Sequence, residues 1–170
     1  GNSALSSGES KWITGEEARS DVQKLRAGSC AVLTGVGTVL LDNPMLNVRD
    51  SRLETLGRQP YRVVLDTGLR LTGDEKVFNG DGRSYIFTAS TNLEKKKEVE
   101  SKDVEVLSCG VLSDGLDLEM VVKKLARLEI NELLIEAGSQ LTGSFLGRNF
   151  WDELIVYIAP KIIGFDGRKA

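Results

Sequence analysis

The sequence predicts an α/β fold with a largely parallel sheet flanked by helices. Three observations lead there. Short apolar runs recur at 30–33, 62–66, 84–88, 104–107 and 133–135. Each run is followed by a turn or a helical stretch, and helix-period apolar stripes lie between several of them. The connections are short and the runs are apolar without strict alternation, as strands covered on both faces are.

Taken in order, residues 1–10 (GNSALSSGES) read as a loop-like start. Thr14 is followed three residues later by Glu17, which predicts a capping box opening a helix. Ala18, Val22 and Leu25 form its apolar stripe, and Gly28 ends it. Arg26 lies in the last turn, where the helix dipole favours a cation by about 0.3–1 kcal/mol. Residues 30–33 (CAVL) form a buried-type strand that runs into TGVGT at 34–38 and then VLLDNP. Leu40 stands where a dinucleotide fingerprint needs its third glycine. That motif therefore offers close backbone approach, with Thr38 as a hydroxyl. Asp42-Asn43-Pro44 stops the short helix, and 44–59, with Arg49, Arg52 and Arg58, reads as a loop.

Strands follow at 62–66, ending in Asp66-Thr67-Gly68, and at 84–88, ending in Ala89-Ser90-Thr91. Residues 92–100 make a charged helix with a solvated face. Residues 104–107 form a strand, and 116–128 an amphipathic helix with Leu118, Val121, Val122, Leu125 and Leu128 on one stripe. The stretch 130–146 reads as strand, turn and helix start. Glu136 stands at the strand's carboxyl end, Ala137 and Gly138 turn the chain, and Ser139 is the expected N-cap. A carboxylate beside the free N–H groups of a helix start makes a polar site able to hold a phosphate. The same residues also read as an ordinary β–α turn. Residues 151–160 (WDELIVYIAP) are expected to form a final, central strand, with a subunit interface as the alternative.

One domain is expected over 1–170, because 41% hydrophobic and 28% charged residues match a globular chain. A net charge of −3 argues against a general nucleic-acid surface. No apolar run reaches the roughly 18 residues that span a bilayer, and the start lacks a signal-peptide pattern. A cytoplasmic setting is therefore expected, with Cys30 and Cys109 as reduced thiols. The chain has no histidine, which excludes a Ser–His–Asp triad, a Cys–His dyad and the usual His-bearing zinc sites. No metal site is expected. Carboxylates, hydroxyls, Lys, Arg, backbone groups or a cofactor must carry any chemistry. Ligands of open α/β sheets bind at the carboxyl ends of strands. Here those ends carry 34–38, 66–68, 89–91 and 136–139, small and hydroxyl-rich turns that suit a nucleotide.

Four segments carry a family likeness: GESKWIT (8–14), LRAGSCAVLTGVGTVLLDNPMLNVR (25–49), IEAGSQLTGSFL (135–146) and DELIVYIAPKIIG (152–164). Together, and in order, they resemble the reductase domain of the bifunctional riboflavin-biosynthesis deaminase/reductase. The resemblance implies a mixed, dihydrofolate-reductase-like sheet. It also implies reduction of 5-amino-6-(5-phosphoribosylamino)uracil to the ribitylamino compound, with NADPH as cofactor. Carried over motif by motif, it puts Ser10, Arg26, Leu46, Arg49 and Glu136 on the substrate. It puts Trp12, Thr38, Asp42, Thr67, Gly138, Ser139, Gln140, Leu141, Thr142, Gly143 and Ser144 on the cofactor, with 138–144 cradling its pyrophosphate. Asp42 or Glu136 is the expected proton-transfer carboxylate. Ser90, Thr91 or Lys95–97 are expected beside the 2′-phosphate.

Each residue also has a structural reading: Trp12 as core, Arg49 as solvated loop, Thr38 as a cap, Asp42 as turn chemistry before Asn-Pro. The resemblance further implies a zinc deaminase domain fused upstream, further C-terminal strands and a homodimer or higher homo-oligomer. Two other functions compete: a dihydrofolate-reductase-like enzyme of other substrate, and a non-catalytic assembly module.

Overall fold

The computed structural model describes residues 2–4, 13–101, 103–113, 115–161 and 168–169. In chain order its elements are β1 (Asn2–Ala4), α1 (Glu16–Gly28), β2 (Ala31–Gly35), α2 (Val36–Asp42), β3 (Tyr61–Leu65), a 3-10 turn (Lys76–Phe78), β4 (Ser84–Thr88) and α3 (Leu93–Val99). There follow β5 (Val104–Ser108), β6 (Val111–Leu112), β7 (Gly115–Leu116), α4 (Leu118–Arg127), β8 (Leu133–Ile135), α5 (Ser139–Gly147) and β9 (Arg168–Lys169).

Five strands form the central sheet in the order β5-β4-β3-β2-β8. Every pairing in it is parallel: β2 with β3 and β8, and β4 with β3 and β5. The antiparallel pairings among the described residues are short: β1 with β9, β6 with β7, and an isolated bridge between Ser101 and Val104.

Side-chain alternation along the strands divides the core in two. On one face Ala31, Leu33, Val63, Leu65, Tyr85 and Phe87 pack with Leu118, Val121 and Leu125 of α4 and Phe145 of α5. On the other, Val32, Val64, Ile86 and Val106 pack with Val36 and Val39 of α2, Val99 of α3 and the loop residues Leu46, Leu69, Leu71 and Val77. Both faces are covered, which is why the strand runs read as continuously apolar.

Several local expectations shift. Gly15, not Thr14, caps α1, and no side chain bonds the cap, so the Thr14–Glu17 box does not form. Thr14 instead offers its carbonyl to Arg19 Nη1 at 2.7 Å. Gly138, not Ser139, caps α5, again without a side-chain bond. Asn92 and Asp117 do cap α3 and α4 through their side chains. The expected strand at 151–160 is absent. That stretch leaves Trp151, Leu154, Ile155, Val156 and Ile158 exposed, while Tyr157 Oη donates to Asp21 Oδ2 at 2.6 Å. Its apolarity signalled burial, but among the described residues β8 is the edge strand of the sheet and the segment meets α1 through Tyr157 instead.

Candidate active site

The parallel sheet points all its carboxyl ends one way, so the turns after β2, β3, β4 and β8 share a rim. Glu136 is fixed there by its own backbone. Its N–H donates to Leu33 O at 2.9 Å, continuing the β2–β8 ladder one residue past the strand.

The side chain of Glu136 meets Arg26, 110 residues away in sequence. Arg26 Nε donates to Oε1 at 2.6 Å and Nη2 to Oε2 at 2.7 Å, a bidentate fork. Arg26 Nη1 donates to Asn47 O at 3.0 Å. The arginine is 8% exposed overall, so this pair is largely withdrawn from water. One side chain thus joins α1, the β8 end and the loop at 43–49.

That loop is held at several further points. Gln23, one turn before Arg26 on α1, accepts from Arg49 N at 2.6 Å through Oε1. Gln59 accepts from Val48 N at 2.9 Å and donates to Val48 O at 3.1 Å. Asn43 Oδ1 accepts from Lys76 N at 2.8 Å. Asn43 and Leu46 both have left-handed backbones, with φ of 41° and 50°. Conformations of that kind cost free energy in non-glycine residues and persist where surrounding contacts over-determine them.

The three loop arginines have different fates. Arg52 is spent on Asp50, whose carboxylate it bonds at 2.7 and 2.8 Å. The hydrogen bonds from Arg52 hold the Asp50 carboxyl down at about 2. Arg58 donates to Ala27 O at 2.6 Å and Ser29 O at 3.1 Å, closing the carboxyl end of α1. Arg49 is exposed at the rim.

The remaining expected site residues fall as follows. Asp42 ends α2 with its side chain exposed, and Thr38 is half-buried on the same helix. Leu46 is 3% exposed and packs in the core, so only its backbone is placed to meet a ligand. Thr67 is exposed after β3, and its carbonyl accepts from Ala89 N and Thr88 Oγ1. The neighbouring Asp66 is buried, and its Oδ2 accepts from Arg70 N and Leu71 N, so it shapes the turn. Lys96 Nζ bonds Ser108 Oγ at 2.7 Å. Ser10 and Trp12 lie outside the described residues.

On α5, Gly138, Ser139 and Gln140 are exposed at the helix start, and a Cβ added at Gly138 would meet open space. The first N–H groups of a helix have no partner inside it, so this end offers donors. Thr142 and Ser144 do not add their hydroxyls: these donate to Ala137 O at 3.3 Å and Gln140 O at 3.0 Å. Leu141 packs towards the sheet, its Cδ2 3.4 Å from where a Cβ on Gly35 would lie, and Gly143 is exposed.

Gln23, Asn47 and Gln59 were not among the expected residues. The spacing of Gln23 three residues before Arg26 places both on one helical face. For Gln59 no local pattern gives a signal. Among the described residues, the buried side-chain atoms without a hydrogen-bond partner are Thr34 Oγ1, Asn47 Oδ1, Asp66 Oδ1 and Ser84 Oγ. Among the described residues no group of three or more His, Cys, Asp or Glu is placed to hold a metal ion. No helix there is long and apolar enough to cross a membrane. Cys30 and Cys109 are free thiols, and burial raises the pKa of Cys109.

Comparison with known proteins places this geometry. The family model described as the RibD C-terminal domain matches residues 1–170. The riboflavin biosynthesis protein RibD of Escherichia coli K12 is 40% identical over 177 residues, covering 99% of this chain and 47% of that protein. The 5-amino-6-(5-phosphoribosylamino)uracil reductase of Buchnera aphidicola from Acyrthosiphon pisum is 34% identical, covering 96% of this chain and 82% of that protein. A solved structure of Acinetobacter baumannii RibD superposes with a TM-score of 0.83 at 34% identity, over 99% of this chain and 45% of that one. The chain therefore spans about half the length of several of its relatives. On the match along its whole length, and on the parallel sheet it shares with such structures, the chain belongs to the RibD C-terminal domain family.

Proposed function

We propose that this chain reduces 5-amino-6-(5-phosphoribosylamino)uracil to the ribitylamino compound, with NADPH as reductant. One observation carries the reading: the Arg26–Glu136 fork stands at the carboxyl end of β8, three residues before the exposed start of α5, whose cap makes no side-chain bond. A phosphorylated substrate and a dinucleotide need such neighbouring anion sites. The name of the Buchnera relative supports the same substrate.

The residues present fit the cofactor. Gly138, Ser139 and Gln140 are exposed at a helix start, and a Cβ at Gly138 would meet open space, so a pyrophosphate there gains from the dipole. When bound, the nicotinamide supplies the hydride that reduces C1 of the opened ribose. Everything else falls to the chain. Arg49, exposed on a clamped loop, binds the 5-phosphate, and Arg26 orients the sugar through donors that Glu136 and Asn47 leave open. Asp42 is the exposed carboxylate and moves the proton to the sugar oxygen or amine; Glu136 has both oxygens on Arg26. Thr38 and Thr67 line the nicotinamide half of the site; the resemblance gives Ser10 to the substrate and Trp12 to the cofactor. Ser90 and Thr91 stand on the rim for the 2′-phosphate.

The setting is cytoplasmic, the parent chain carries a zinc deaminase domain upstream, and the reductase works as a homodimer. The alternatives of another reduced substrate or a non-catalytic module are separated by one assay. NADPH and NADH consumption are followed when the purified chain receives the phosphoribosylaminouracil. NADPH-selective turnover is expected. Binding of NADPH without turnover, in this chain and in the longer parent, would favour another reduced substrate; failure of NADPH to bind either would favour the module.

A further inference from the structure

We propose that Gln23 and Gln59 are positioning residues that aim Arg49 at the substrate phosphate. The inference rests on the assignment of that phosphate to Arg49. Neither glutamine touches ligand; both act on the backbone that carries the arginine.

Four geometric facts support it. Gln23 Oε1 takes the N–H of Arg49 itself, at 2.6 Å. Gln59 pairs both backbone groups of the preceding residue, Val48, at 2.9 and 3.1 Å, as a neighbouring strand would. Arg26 takes Asn47 O, so three consecutive residues of the loop are each tied by a side chain from elsewhere. Leu46, at the head of this run, has a left-handed backbone and a core-buried side chain. A loop held so tightly has lost its conformational freedom on folding rather than on binding. Its two other arginines are consumed, Arg52 by Asp50 and Arg58 by the end of α1. Of the three exposed loop guanidinia, that of Arg49 is the one left without a hydrogen-bond partner among the described residues.

The chemistry suits an oxyanion with several acceptors. A planar fork recognises phosphate by direction as well as charge, so a few degrees of backbone drift cost contacts. A flexible lysine would need no such frame. Two amide side chains hold the frame without adding charge to compete for the anion.

The test is a thermodynamic cycle read by calorimetric titration of ribose 5-phosphate into the purified chain. Gln23→Leu and Gln59→Leu are each expected to weaken binding about 3- to 10-fold, the range of one or two lost hydrogen bonds. The loss should vanish when Arg49 is Met, because the glutamines then aim nothing. A structural role alone predicts equal losses in both backgrounds, and that result would overturn the proposal. So would unchanged affinity in the single variants, or no binding of ribose 5-phosphate by the unsubstituted chain. Should Gln59→Leu not fold, Gln23→Leu, which removes one bond from the flank of α1, decides alone. NADPH turnover, measured in parallel, reports on the proposed reaction separately.

Discussion

Among the described residues two arginines are buried, at opposite ends of the sheet, and they are satisfied in opposite ways. Arg62, near the amino end of β3, gives its donors to carbonyls alone: Val77 at 3.0 Å, Asp81 at 2.5 Å, Gly82 at 2.9 Å and Pro60 at 3.3 Å. Arg26, at the carboxyl end, gives two donors to a carboxylate and one to a carbonyl. Backbone carbonyls cannot leave or change charge. The Arg62 nest is a permanent stitch that draws 76–83 onto β3, and burial pulls the Arg62 pKa down from its usual range. A carboxylate can share its guanidinium with an incoming anion. One end of the sheet is sewn shut; the other keeps an exchangeable partner, and it is the latter that the proposed function assigns to the ligands.

The largest expected effects test that contrast directly. Arg62→Met leaves several carbonyls without their donor and should cost about 3 kcal/mol in urea unfolding. Turnover per folded molecule should stay near normal; selective loss of turnover would break the division of labour. Arg26→Met should do the reverse in proportion. Catalytic efficiency falls about 100-fold or more, while stability falls by about 2 kcal/mol because Glu136 is left partly desolvated and alone. Adding Glu136→Gln should return most of that stability and none of the efficiency. If the double variant regained activity, the pair would be only structural.

Much of this was legible in the sequence, and the reasons differ by residue. Leu133–Ile135, Ser84–Thr88 and the Leu118 stripe carry local periodicity, and the fold follows it. Glu136 was legible because a carboxylate after a strand and before a glycine turn is a local pattern. Its partner was named as a substrate contact, but the bond between the two spans 110 residues and has no local signature. Arg62 stood inside an apolar strand run, with nothing nearby to show that carbonyls of 77–82 converge on it. The segment 151–160 misled for another reason. Hydropathy reports that a stretch prefers to leave water, not which surface covers it, and among the described residues no strand of the central sheet lies beyond β8.

Two glycines sharpen the contrast at smaller scale. Gly82 has φ of 92°, and a Cβ there would lie 2.8 Å from Arg62 Nη1. Gly82→Ala should cost about 1–2 kcal/mol, from strain and from the displaced guanidinium, and leave NADPH affinity unchanged. At Gly35 a Cβ would meet only the movable Leu141 Cδ2, at 3.4 Å. Gly35→Ala should cost under about 1 kcal/mol but loosen NADPH binding, since it sets a methyl at the carboxyl end of β2 in contact with the first turn of α5. Thermal unfolding with cofactor titration separates the two; equal effects on affinity would mean that α5 is not the anion end.

The smallest effect concerns the tie between α1 and 151–160. Asp21 accepts from Tyr157 Oη, and that hydrogen bond, first among its causes, raises the Tyr157 pKa to about 12. The folded state therefore holds this proton more tightly than the unfolded chain, whose tyrosines titrate near 10. For a group raised on folding, the contribution is complete below the unfolded value and is lost as pH climbs through the folded one. The window is pH 10 to 12. Wild type and Tyr157→Phe should differ in stability by a small constant amount below pH 10, and the difference should shrink across that window. Lysine and other tyrosine titrations affect both proteins alike and cancel in the comparison. A difference that held constant to pH 12 would mean that Tyr157 stabilises by packing rather than by its proton. The apolar segment would then rest on α1 by hydrophobic contact, which makes its attachment independent of the Asp21 carboxylate.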